Sequence, residues 1–451
     1  MVPRLLHYSD IENAHDRPER MGRLAGTIDD RRDERTLVVG TGDDTAPGAL
    51  GIETRGHHSL AFFERVEPDI ETFGNHDFDY GLRNTREIVA ESPVTWVSAN
   101  VGRDGDPVTG VDPAVVVERD GHRVGVIGVS GRGIHLAPAL TVGDPVAAVR
   151  RVAADRDLDS LVVLAHASDE TVREIARETA ANAVLAGHCH DVLRERVDGT
   201  LLVRPGSNGE VVWEVTLGGE ADVAEDGEAT ATRHDVTHGP IDETMADRVR
   251  ANLRETGLDK VVATVESPVE RDRRACLRGE ARLANFATDA LRWVADADVA
   301  HVDTRGLRGG PPIGPDVRVV DLVGVSPFEA GVFVATVSGR ELRQLVAESH
   351  RSDLDTLDGH AWTGQFSGIE IQWDPDAGET EVSFDGSPLE PDRELRLATN
   401  GYVVYTDEFQ TLGPADAREL HGLQYRAFVD YARGVSDLSV ELDGRIEDIA
   451  D

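Results

Sequence analysis

Lysine is all but missing from this chain: Lys260 is the only one in 451 residues. Lys and Arg together number 46 against 84 Asp and Glu, giving a formal charge of -38. Clustered cations able to contact a phosphate backbone are therefore scarce, which argues against nucleic-acid binding through a basic face. The two cysteines, Cys189 and Cys276, cannot make a disulfide framework. No run approaches the ~18 apolar residues that a membrane span needs. The first ten residues, Met1 to Asp10, lead at once into what reads as a core strand, with no charged region, apolar stretch and cleavage site before it. The expectation is a cytoplasmic protein with neither nucleic acid nor membrane as a partner.

The acidity resembles that of proteins from extreme halophiles, which stay hydrated through surface carboxylates. At molar salt the Debye length is only about 3 Å, so the self-repulsion of such a surface is screened. The charge is read as adaptation to salt, not as a device for binding a partner.

Residues 1 to 238 alternate short apolar runs with amphipathic stretches. Strands are expected at Leu5–Tyr8, Thr36–Val39, Val94–Val97, Val124–Val129, Leu161–Leu164 and Ala183–Leu185. Helical spacing appears over Arg20–Arg31, Leu82–Ala90, Pro145–Ala154 and Glu170–Ala180. Val211–Leu217 alternates as a closing strand, and the acidic stretch Gly218–Glu228 reads as a turn on its edge. Asp242–Thr256 reads as a helix stopped by Gly257, and the segment 239–258 as a connector. A second α/β pattern occupies 259–451: Val261–Val265, a helix over Arg282–Val294, the runs Val319–Val323 and Val332–Val337, and a helix over Gly339–Ser349. Strands alternating with helices imply layered α/β domains.

The most informative string is Gly74-Asn75-His76-Asp77-Phe78-Asp79-Tyr80-Gly81, which packs an amide, an imidazole and carboxylates into one turn after the run 69–73. It has company. Ser9-Asp10-Ile11-Glu12-Asn13 follows the first strand, and Gly40-Thr41-Gly42-Asp43-Asp44 the second. Leu164-Ala165-His166 and Gly187-His188-Cys189-His190 follow two later ones. Five polar loops, each after an apolar strand, are expected to converge at one edge of a sheet, where α/β proteins present their chemistry. Oxygen and imidazole ligands from several loops suit a divalent-metal centre. In an extended segment His188 and His190, two apart, would face the same way. Cys189 would then point away as a small buried residue.

This series resembles the calcineurin-like binuclear metallophosphatases, in the branch that contains the 5′-nucleotidases. The resemblance implies a four-layer β-sandwich with flanking helices for residues 1–238, and an α/β substrate domain for 259–451. It also implies two divalent ions. Asp10 and His190 would serve one; Asp43 would bridge; Asn75, His166 and His188 would serve the other. His76 would stabilise the transferring phosphoryl group or protonate the leaving oxygen, with Asp79 orienting it. Where the family has Asp-x-His, this chain has Asp10-Ile11-Glu12. A carboxylate there favours a hard ion such as Mn²⁺ over Zn²⁺, with Co²⁺ or Fe also possible; His15 is the alternative ligand.

The second half resembles the 5′-nucleotidase substrate domain more loosely. Residues 280–285 look like the family's Glu-x-Asn-x-x-Asn segment, and residues 303–308 look like Asn-Gly-Gly-Gly-Ile-Arg with Asp303 leading and Arg308 retained. Residues 366–369 are similar to another family segment. Phe328 after Pro327, and Tyr402 in Thr399-Asn400-Gly401-Tyr402, stand where two aromatic plates would hold a base. Arg308 would hold the phosphate or ribose side, with Arg278 or Arg305 as a second guanidinium. Asp407-Glu408-Phe409 replaces the family's Gly-Gly-Asp-Gly. The expected function is metal-dependent release of phosphate from nucleoside 5′-monophosphates. The alternatives are a 2′,3′-cyclic-nucleotide phosphodiesterase, a nucleotide-sugar pyrophosphatase, or a metal- or nucleotide-binding protein with a decayed first site.

Overall fold

A computed structural model describes residues 3–103, 106–108, 111–119, 121–131, 140–154, 156–218, 228–351, 361–374, 379–435 and 438–449. Most of the expected turn at 218–228 lies outside the described residues. The chain divides into two compact units, Met1–Thr256 and Gly257–Asp451.

The first unit is built on two six-stranded sheets. The strands used below are β1 (Arg4–Tyr8), β2 (Thr36–Gly40), β3 (Ile70–Glu71), β4 (Thr95–Trp96), β5 (Ala114–Arg119) and β6 (His122–Ser130). They continue with β7 (Ser160–His166), β8 (Ala183–Gly187), β9 (Val192–Val197), β10 (Thr200–Pro205), β11 (Val211–Thr216) and β12 (Thr230–Asp235). One sheet has the order β12-β11-β1-β2-β3-β4 and the other β9-β10-β8-β7-β6-β5. Strands β1 to β4 run parallel, as do β6, β7, β8 and β10. Strands covered on both faces have no polar side to show, which is why β2, β7 and β8 read as unbroken apolar runs and are buried throughout.

Leu5, Leu37, Val39 and Ile70 from one sheet meet Val126, Val162, Leu164 and Leu185 from the other in a shared core. On the far face of the second sheet, Val163, Val184 and Leu202 pack with Val149 and Ile175. These last two belong to the helices Pro145–Ala153 and Asp169–Glu178, capped by Asp144 and Ser168. On the other side the helices Pro18–Arg31 and Glu243–Thr256 pack together, so the expected connector helix is part of this unit. Asp242 caps it by accepting from the Met245 N–H at 2.8 Å.

The second unit centres on a mixed five-stranded sheet. Its strands are β13 (Val299–Asp303), β14 (Gly331–Ser338), β15 (Gly364–Ser367), β16 (Glu394–Asn400) and β17 (Glu419–Leu423), in the order β15-β13-β16-β14-β17. Helix Gly339–Ser349 inserts Leu342, Leu345 and Val346 against Val299, Val337 and Leu397. Val319–Val323, an apolar run in strand-like company, is a short helix instead. The Asp321 carboxylate accepts from the Arg318 N–H at 2.8 Å and closes the first turn, overriding the β-branched composition. Among the described residues no helix is long and apolar enough to cross a membrane.

Candidate metal centre

Asp10 and Glu12 follow β1, Asp43 follows β2, and Asn75 to Asp79 follow β3; His166 ends β7, and His188 and His190 follow β8. The loops come from both sheets, so they meet at the edge of a sandwich and not along one sheet as the sequence suggested. The fold gathers seven of these side chains into three interlocking groups: Asp43, His166 and His188; Asp10, Glu12 and His190; Glu12, Asp43 and His76. Within each group the candidate ligand atoms lie within 4.8 Å of one another. Asp43 and Glu12 each belong to two groups, which joins the set into one centre.

Backbone bonds lock the loops together. Asp10 N–H donates to Gly42 O at 3.0 Å, and Glu12 N–H to Asp43 O at 3.3 Å. The His76 N–H donates to Asp43 Oδ1 at 2.7 Å, and the His188 N–H to both Asp10 carboxylate oxygens at 3.2 Å. Ten non-glycine residues have positive φ among those described, and four of them are Asp10, Glu12, Asp43 and His188. Such conformations cost on the order of 1–3 kcal/mol each and persist only where the surroundings enforce them. Gly74 is required for close approach, because a Cβ there would lie 2.1 Å from Asp43 Oδ1.

His188 has φ 79, so the His188–His190 segment is not extended. The two imidazoles therefore enter different groups, where the spacing alone suggested one common face. Cys189 is half-buried between them.

The residues present fit divalent cations. The His166 ring is buried, with Nδ1 bonded to Thr41 O at 2.8 Å. That bond puts a proton on Nδ1 and leaves Nε2 facing the centre. His166 Nε2 lies 3.1 Å from Asp43 Oδ2 yet makes no hydrogen bond of normal geometry. Burial alone would lower this imidazole, but Asp43 and Asp10 outweigh it and hold it up at about 10. Burial likewise pushes Asp10 up to about 7, against the opposing pull of His166. Burial would raise Asp43 too, but His166 and His76 win and hold it well below the usual carboxylate range. Buried carboxylates here demand positive charge, which a cation can supply in place of the His166 proton.

His76 Nδ1 lies 2.8 Å from Asp79 Oδ2. The 3₁₀ turn at His76–Phe78 brings residues three apart onto one side, which is how the pair meets. His188 Nδ1 is 3.1 Å from Asn75 Oδ1, so Asn75 stands beside the His166–His188 group. His190 Nε2 is 3.3 Å from Glu12 Oε1 and 3.6 Å from Asp10 Oδ1. His15 is directed elsewhere: its Nε2 bonds Asp44 O at 2.9 Å and its ring meets His58 edge to face.

Sequence reasoning missed the acids that hold the ligand loops. Asp77 accepts from the N–H groups of Asp43 (2.9 Å), Asp44 (3.3 Å), Thr45 (3.1 Å) and Gly74 (2.8 Å), tying two ligand loops together. Burial and then Asp43 push it up to about 6. Beneath the centre, buried Glu71 accepts from the Tyr8 hydroxyl, and Asp44 accepts from the Ile11 N–H at 3.1 Å. The signal available for Asp77 was its place inside the octet; for Glu71 it was an acid inside a buried strand.

In the second unit, the Arg308 guanidinium carbon lies 5.1 Å from the centroid of the Phe328 ring, and that of Arg305 5.9 Å from Tyr402. Both are within cation–π range. Asn400 caps the short helix Gly401–Tyr405 through the Val403 N–H at 3.1 Å and leaves Tyr402 46% exposed in its first turn. Arg305 grips buried Asp303 through Nε at 3.0 Å and Nη2 at 2.7 Å, and reaches Glu408 at 2.9 Å. Arg278 is exposed at the end of the short helix Arg273–Arg278. Glu280 accepts from Asn285 Nδ2 at 2.6 Å and from three consecutive N–H groups at 443–445, so that motif anchors the chain's last segment.

Residues 261–413 match the family described as 5′-nucleotidase, C-terminal domain. The whole chain shares its fold with a 5′-nucleotidase precursor of Thermus thermophilus: TM-score 0.78, 21% identity, and 99% of both chains covered. The chain is 20% identical to the trifunctional nucleotide phosphoesterase YfkN of Bacillus subtilis, an alignment covering 92% of this chain and 33% of that protein. It is 23% identical to a cell wall protein of Listeria monocytogenes, over 82% of this chain and 56% of the relative. The chain thus spans between a third and about half of the length of these two relatives. The 5′-nucleotidase resemblance and the two-domain α/β architecture read from the sequence are borne out.

Proposed function

We propose that the chain is a metal-dependent phosphoesterase that releases phosphate from nucleoside 5′-monophosphates. The observation that carries this reading is the linked set of carboxylates and imidazoles at the strand ends, with Asp43 and Glu12 each shared between groups. Two bound divalent ions would supply Lewis-acid polarisation of the phosphoryl oxygens and a reactive water at neutral pH. Asp43 would be their shared ligand. His166 and His188 complete one position, with Asn75 beside them, and Asp10, Glu12 and His190 complete the other. Glu12 brings oxygen where the family has imidazole, and this favours Mn²⁺.

His76 holds a proton for the leaving oxygen. Asp79, 2.8 Å from its Nδ1, fixes the ring's tautomer and stabilises its charged form. In the second unit Phe328 and Tyr402 would stack on a planar base, and Arg308 would offer a forked cation to the phosphate or ribose side. The nucleotide reading is supported by the match of residues 261–413 to the 5′-nucleotidase C-terminal domain and by a relative named as a nucleotide phosphoesterase. The charge of -38 supports work in concentrated salt.

The test is an assay in molar KCl with Mn²⁺, comparing AMP, a 2′,3′-cyclic nucleotide, a nucleotide-sugar and an aryl phosphate. Preference for AMP is expected. Turnover of the aryl phosphate or the diesters alone would keep the metal centre and remove the nucleotidase reading.

A further inference from the structure

Arg271 is a large charged residue that is only 8% exposed, and its guanidinium is turned onto backbone. Nε and Nη2 both donate to Arg308 O at 3.2 Å, and Nη2 also donates to Gly324 O at 2.5 Å. The two carbonyls belong to segments well separated in sequence. One carries Arg308; the other leads into the turn where Val325 O accepts from the Arg308 N–H at 2.7 Å and Ser326 O from the Phe328 N–H at 2.8 Å. One planar cation thus sets the spacing between the Arg308 backbone and the turn that presents Phe328.

We propose that Arg271 is the positioning residue of the nucleotide site in the carboxy-terminal unit, setting the Arg308 guanidinium against the face of Phe328. This assignment rests on the nucleotide reading of Arg308 and Phe328 given above. Its effect on the site passes through those two residues. The fork needs Nε and a terminal nitrogen held in one plane, a geometry that a lysine ammonium cannot copy. Arginine is therefore required there, and not merely a positive charge.

The experiment compares Arg271→Lys, Arg271→Met and Arg308→Ala in full-length protein, with AMP and an aryl phosphate as substrates in Mn²⁺. Arg271→Lys keeps the charge and much of the volume, so it serves even if Arg271→Met folds poorly. The expected result is a rise of about tenfold in KM for AMP in both Arg271 variants, with kcat within about twofold and aryl-phosphate kinetics unchanged. Arg308→Ala should raise KM for AMP by at least as much. Unchanged KM for AMP in Arg271→Lys, beside a raised KM in Arg308→Ala, would overturn the role of Arg271 and leave the nucleotide reading intact. An equal loss on both substrates would overturn it too, as a general structural effect. Unchanged KM in Arg308→Ala would remove the nucleotide reading and this inference with it.

Discussion

The two units hold their candidate sites in different ways. In the first, Asp10, Glu12, Asp43 and His166 are at most 2% exposed, and three of them sit in left-handed backbone. In the second, Tyr402 is 46% exposed, and the arginines beside the plates are tethered by carboxylates and backbone carbonyls. A metal centre must gather like charges before the ion arrives, and only a rigid, strained, heavily bonded frame does that. A binding face for a flat apolar ring needs area and orientation, and several side chains can supply them. Short contiguous strings encode the first kind of site; scattered residues on separate segments encode the second.

The comparison breaks first at His76. His76→Ala should lower kcat by about 10²- to 10⁴-fold for every substrate, AMP and aryl phosphate alike. Steady-state kinetics within tenfold of wild type would remove His76 from the chemistry. The aromatic plates sharpen the contrast at a smaller scale. Phe328→Ala or Tyr402→Ala should raise KM for AMP about tenfold and leave the aryl phosphate alone. A loss on both substrates would show that these rings serve the fold.

The mildest effect concerns acid stability in the second unit. His301 is fully buried, and burial pushes its imidazole down to about 3. Between its ordinary 6.5 and that value the unfolded chain takes up a proton that the folded chain refuses. Stability should therefore fall as pH drops from about 6.5 towards 3. Urea midpoints measured across that range should decline less steeply in His301→Gln; parallel declines would exclude His301 as a source.

The sequence was most legible where residues act within a few positions of one another. The strands β1, β2, β7 and β8 and the polar loops after them follow from apolar runs ending in Asp, Asn and His. Legibility failed where structure depends on a partner far along the chain. Asp77 looked like one more turn acid, yet it bonds four N–H groups, three of them more than thirty residues away. His188 and His190 diverge because of one backbone angle that their spacing did not reveal. The hairpin of β9 and β10 and the helices Ala49–Thr54 and Leu60–Val66 went unread, since their polar and apolar residues show no strong period. Val319–Val323 misled in the opposite sense: a β-branched run became a helix through a single cap.

The central claim is that Asp43 joins two metal positions into one centre. Its most direct test is Mn²⁺ titration of metal-free wild type and Asp43→Ala by calorimetry, with bound metal then counted per chain. The account predicts about two ions in the wild type and the loss of at least one in the variant. Two ions bound with unchanged affinity in Asp43→Ala would contradict it.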